Sequence, residues 1–173
     1  MDMLHFGVNF WAVRWASVRQ TVRPVNREIG DTLPLFTLKD QDNSDFSIAE
    51  YIGKKKLVIY FYPKDESPVC TKEACAFRDS YAQYTDAGAV VVGINSAPVA
   101  SHKAFAEKNR LPFTLLSDPG NEVLKQFGIK NVLFITGRET FVIGLSGKVE
   151  FKFRGFLKGD EHSQQVLSFL KKD

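Results

Sequence analysis

The chain has two cysteines, Cys70 and Cys75, set five residues apart in Ser67-Pro68-Val69-Cys70-Thr71-Lys72-Glu73-Ala74-Cys75. The segment reads as a helix start. Serine is a favoured N-cap, and proline at the first helical position loses only an N–H that had no partner. Cys70 then falls at the third helical position, beside unpaired backbone donors and the positive end of the helix dipole. Both favour a thiolate over a thiol, which when free ionises near about 8.5. The dipole supplies up to about 1 kcal/mol. A tenfold change in ionisation takes about 1.4 kcal/mol, so a further cation is needed. Asp65, Glu66 and Glu73 oppose the thiolate unless they point away.

In an unbroken helix, five residues rise about 7.5 Å and leave the two Cα atoms roughly 8–9 Å apart. A disulfide needs them within about 7 Å. The cysteines can therefore bond only if the first helical turn unwinds, which makes the segment a candidate two-state element. Other readings stay open on these residues alone. Both cysteines could be small core hydrophobes. A zinc site lacks its ligand complement, since His5, His102 and His162 show no ligand spacing. A Cys/His hydrolase would need His102 or His162 as base, and both read as surface histidines. The spacing excludes a Cys-x-x-Cys oxidoreductase.

The elements that must position this chemistry alternate along the chain. Leu35–Lys39 reads as a short edge strand, with a polar turn at Asp40–Asp45. Leu57–Tyr62 is an apolar strand leading straight to the cysteines, and Ser67–Tyr84 is a helix with Ala74, Phe77 and Tyr81 at helical spacing. A strand at Ala89–Ile94, a helix at Pro98–Asn109, a strand at Phe113–Leu116 and a helix at Asn121–Phe127 follow. Thr140–Leu145 and Val149–Phe153, joined at Ser146-Gly147-Lys148, form a hairpin, and Glu161–Lys171 is a closing helix. Parallel βα units followed by a hairpin predict an α/β fold, a mixed sheet with helices on both faces.

The chain's 173 residues, 44% of them apolar, suffice for one core. A net charge of +3, with both signs interspersed, gives no basis for nucleic-acid binding, and no apolar stretch is long enough for a membrane span. Residues 1–27 differ: Arg14, Arg19, Arg23 and Arg27 stand against a single acid, Asp2, with Trp11 and Trp15 among them. Such a segment suits an organelle-targeting sequence, for a plastid or mitochondrion, or a plain extension. It is not a secretory signal, so a reducing compartment, the cytoplasm, is the default expectation. The division is thus an extension over 1–27 and a domain over 28–173.

Pro63-x-x-x-Ser67-x-x-Cys70 resembles the active-site motif of peroxiredoxins. The stretch from Tyr60 to Cys75 is similar to the peroxiredoxin Q subfamily, also called bacterioferritin comigratory proteins, and Gly137-Arg138-Glu139-Thr140-Phe141 to that subfamily's arginine-bearing strand entrance. The resemblance runs from about Ile29 to the C-terminus. It implies a thioredoxin-like fold and reduction of hydrogen peroxide and alkyl hydroperoxides without a cofactor. Carried over by position, Cys70 attacks the peroxide O–O bond and becomes a sulfenic acid, and Cys75 resolves it to an intramolecular disulfide. Thioredoxin or a similar dithiol protein restores the pair, and a monomer is implied. Ser67 would hydrogen-bond the peroxide, Pro63 shield the thiolate from water, and Arg138 supply the missing cation, its fixed charge and fork of donors suiting both thiolate and peroxide oxygen. Glu73 either orients Arg138 or is a helix-surface acid. Ser67 for threonine, Val69 for glycine and Gly144 for aspartate depart from the pattern, and Val69 adds bulk at the pocket mouth. A redox-switched binding module and a non-redox α/β domain with buried thiols are the rival readings.

Overall fold

A computed structural model describes residues 26–130 and 137–172. The remainder, including Trp11, Trp15 and the arginines ahead of Arg27, lies outside the described residues. Leu57 to Tyr62 are almost entirely buried, and alternate side chains enter opposite cores, as a strand covered on both faces requires. This strand, β3 (Lys56–Phe61), lies inside the sheet, paired on both edges. The others are β1 (Thr37–Asp40), β2 (Asp45–Ser47), β4 (Ala89–Asn95), β5 (Thr114–Ser117), β6 (Glu139–Ile143) and β7 (Val149–Arg154), in the order β2-β1-β5-β4-β3-β6-β7. β3, β4 and β5 run parallel, and the outer pairings are antiparallel.

The helices are α1 (Pro68–Asp79), α2 (Tyr81–Asp86), α3 (Val99–Asn109), α4 (Glu122–Gln126) and α5 (Gly159–Leu170). Ala74 and Phe77 of α1, Tyr84 of α2, Phe105 of α3 and Val166 of α5 pack with Val58, Tyr60 and Tyr62 on one face. Val123 and Leu124 of α4, with Phe127 and Phe46, pack with Leu57, Ile59 and Phe61 on the other. The mixed α/β layering matches the sequence expectation.

Three local expectations are corrected. The Leu35–Lys39 strand is not an edge: β1 pairs with both β5 and β2, and β2 takes the edge. The helix expected over Ser67–Tyr84 breaks at Ser80, whose φ of −104° and ψ of 9° leave the helical path. Beyond the break Tyr84 is buried, its hydroxyl donating to Ser163 O at 3.0 Å on α5. The two histidines expected on the surface, His102 and His162, are fully buried.

At the other end of the described chain, Arg27 N donates to Phe127 O at 3.1 Å and its Nε to Gln126 O at 3.1 Å. Lys152 Nζ on β7 donates to Asn26 Oδ1 at 3.1 Å, Arg27 O at 3.0 Å and Glu28 Oε1 at 3.1 Å.

Candidate active site

β3 delivers the chain to the loop 63–67 and then to α1. Ser67 is the N-cap, and its Oγ accepts from Cys70 N at 3.3 Å while Pro68 opens the helix. Cys70 therefore sits at the third helical position, as the sequence requires. It is buried with a free thiol, packed in the cluster that holds Tyr60, Tyr62 and Phe77.

The cation comes from just ahead of β6. Gly137 makes this possible: a Cβ there would lie 2.4 Å from Lys130 O. Arg138 is buried, and its three nitrogens are all engaged. Nη2 donates to Cys70 Sγ at 3.0 Å, Nε donates to Phe156 O at 3.1 Å, and Nη1 pairs with Glu73 Oε2. Glu73 lies one turn beyond Cys70 on the same face of α1 and is fully buried. Its relation to Arg138, open in the sequence, is a direct ion pair.

The first turn of α1 and the start of α5 meet backbone to backbone. At Gly159 a Cβ would stand 2.5 Å from Val69 O and 3.1 Å from Glu73 Cβ, so only glycine lets α5 approach. Three residues on, His162 Nε2 faces Gly155 O at 3.0 Å. A carbonyl only accepts, so Nε2 carries the proton and Nδ1 accepts from Thr140 Oγ1 at 2.7 Å. Nδ1 also stands 3.5 Å from Glu73 Oε1. His162 thus walls the far side of the Glu73–Arg138 pair as a neutral ring. Burial, against the Gly155 hydrogen bond and with Arg138's charge adding to it, pushes its pKa from 6.5 down to about 4. Unfolded, the ring takes up its proton near 6.5, so its contribution to stability is whole above that pH and is lost as pH falls from 6.5 towards 4. The loss should be on the order of 3 kcal/mol. Urea unfolding at pH 7 and 4.5 should show His162→Gln losing less stability on acidification than the native chain; equal losses would refute it.

The three acids that could oppose a thiolate are accounted for. Glu73 is neutralised by Arg138, exposed Glu66 pairs with Lys108, and Asp65 turns into a buried group of donors away from the sulfur's own partner. Cys75 is half-buried, its Sγ 4.0 Å from Asn109 Oδ1. α1 is unbroken between the cysteines, so they are not positioned to bond in this form. Pro63 is half-buried at the start of the loop. Cys70, Arg138 and Ser67 are thus brought together, and Cys75 is held apart. His102 and His162 have ring nitrogens committed to backbone and side-chain groups, and the sulfur's partner is Arg138 rather than an imidazole. Sequence reading missed His162 as a neighbour of this site, although it lies four residues before Val166 on the stripe of α5 that packs inward.

Residues 29–152 match the AhpC/TSA family. The chain belongs to this family. Within it the sequence is of the peroxiredoxin Q kind. It is 49% identical over 144 residues to the chloroplastic peroxiredoxin Q of Triticum aestivum, a match covering 82% of this chain and 66% of that one. Against the chloroplastic peroxiredoxin Q of Sedum lineare it is 49% identical over 144 residues, 82% of this chain and 77% of that one. A solved bacterioferritin comigratory protein of Xanthomonas campestris, described for its alkyl peroxide reduction activity, superposes with a TM-score of 0.74 at 29% identity, covering 82% of this chain and 98% of that one. The thioredoxin-like expectation holds. Members of this family are thiol peroxidases, and the thiol in this chain that has a buried cation beside it is Cys70.

Proposed function

We propose that this chain reduces hydrogen peroxide and alkyl hydroperoxides through Cys70, over residues 28–173, with Cys75 as its resolving partner. One observation carries the reading: Cys70 Sγ stands at a helix N-terminus with Arg138 Nη2 donating to it at 3.0 Å. A buried guanidinium keeps negative charge on sulfur and offers a donor to the oxygen that leaves.

The thiolate attacks the terminal oxygen of ROOH. The S–O bond forms as the O–O bond breaks, sulfur is oxidised to Cys70–SOH, and RO⁻ departs to take up a proton as ROH. Ser67, whose lone pair serves the Cys70 amide, keeps its hydroxyl proton for the peroxide. Pro63 shields the thiolate from water. Cys75 then attacks Cys70–SOH, forming the S–S bond and releasing water. A dithiol protein such as thioredoxin exchanges with the disulfide and leaves both thiols reduced. The cycle closes within one chain, which supports a monomer. For location, the arginine-rich, acid-poor residues 1–27 and the chloroplastic relatives together support a plastid over the cytoplasm.

The test is a map of the oxidised product. One equivalent of peroxide should yield a Cys70–Cys75 disulfide peptide and loss of amide protection over the first turns of α1. Cys75→Ser should stop at a sulfenic acid trapped on Cys70. A proven disulfide with α1 still wound, or a sulfenic acid on Cys75, refutes the scheme.

A further inference from the structure

Asp65 lies between Pro63 and Ser67 and is 3% exposed. An acid so buried needs donors, and it has them from three elements. Oδ1 accepts from Tyr62 OH at 2.8 Å, at the end of β3, and from Asn95 Nδ2 at 2.9 Å, at the end of β4. Oδ2 accepts from Ser101 Oγ at 2.6 Å and stands 3.0 Å from His102 Nδ1, both in the first turn of α3. The surroundings are themselves fixed: the donor Asn95 has its Oδ1 accepting from Ala97 N at 2.7 Å, and the His102 ring is held by Nε2, which faces Leu116 O at 3.1 Å.

The loop needs such an anchor. Glu66, the next residue, has a φ of +64°, a left-handed conformation that a side chain other than glycine's resists by about 1 kcal/mol or more. Ser67 follows directly, and its Oγ sets the Cys70 amide. Burial by itself would raise the Asp65 carboxyl, yet the adjacent His102 ring and the hydroxyls of Ser101 and Tyr62 outweigh it and lower the pKa from its usual value. The group is an anion at neutral pH, with acceptor capacity on both oxygens.

We infer that Asp65 is a positioning residue for the peroxide pocket: its carboxylate pins the middle of the loop 63–67 to β4 and α3, and so sets where Pro63 and Ser67 stand around Cys70. The inference rests on the proposed peroxidase reading. It predicts a split between two reactions of one sulfur. Alkylation by iodoacetamide needs the thiolate and access to it, whereas peroxide reduction also needs the surrounding groups in place.

Asp65→Asn keeps the shape but puts an amide donor into a site whose neighbours Tyr62, Asn95 and Ser101 all donate. Displacing reacting groups by about 1 Å costs on the order of 100-fold in rate. The second-order rate of Cys70 with hydrogen peroxide should therefore fall roughly 10- to 100-fold, with alkylation at the same pH changed far less. Ser101→Ala, which deletes one donor at a half-buried position, serves if the first variant does not fold; it should lower the peroxide rate severalfold and leave alkylation unchanged. Peroxide and alkylation rates that fall together in either variant, or a peroxide rate that does not fall, overturn the inference. Failure of the peroxidase reading is separate, because the native chain would then show no peroxide rate above that of a free thiol.

Discussion

Cys70→Ser is expected to bring dithiol-coupled peroxide consumption down to the uncatalysed background, a loss of roughly three orders of magnitude or more. The N-cap bond runs from the residue-70 backbone N to Ser67 Oγ and is untouched, and the hydroxyl fits the space, since oxygen is the smaller atom. An alcohol facing Arg138 nonetheless stays protonated at neutral pH, and it is a poor nucleophile toward an O–O bond. Thermal unfolding should change little, which separates lost chemistry from lost fold. Residual turnover above about a tenth of the native rate would falsify the assignment of the attacking sulfur.

Arg138 carries the second large effect, and it has two parts. Arg138→Met removes the donor at Cys70 Sγ, and loss of one such donor from a preorganised site costs about 100- to 1000-fold. It also strands Glu73, a fully buried acid, without its cation. Breaking a buried pair by removing one partner costs about 3–5 kcal/mol. Adding Glu73→Gln removes the orphaned charge, so the double variant should regain much of that stability in urea unfolding. Peroxide reactivity should stay low, because the sulfur still lacks its donor. If activity returned with stability, Arg138 would be a packing residue and the electrostatic reading of the site would fall.

The parts legible in the sequence were those decided locally. A buried strand feeding Ser67-Pro68 announces α1 and the position of Cys70, because caps and strand alternation act within a few residues. The break at Ser80 is different in kind. No helix breaker stands there, and the turn serves Tyr84, whose hydroxyl reaches Ser163 nearly eighty positions away. Likewise β2 offers one inward side chain, Phe46, in three residues, too few for a periodicity to show. The buried histidines are where residue type misleads most. Their residue type argues for solvent, and their burial is licensed by Leu116 O and Gly155 O, carbonyls supplied by other elements. His102 did carry a signal, since Phe105 and Ala106 follow it at helical spacing and are also buried. In the sequence Asp65 shows only as a charge opposed to the thiolate. That it faces away depends on Asn95 and Ser101, which the chain brings together only on folding.

The ties at Asn26–Glu28 set how much of the N-terminal end the fold can lose without cost. A protease cutting beyond Glu28 would discard both backbone and guanidinium bonds of Arg27 to α4's end and leave Lys152, only 14% exposed, stripped of three acceptors. A peptidase removing a leader before Asn26 forfeits none of them. The described fold therefore keeps these bonds only in a product that retains Asn26.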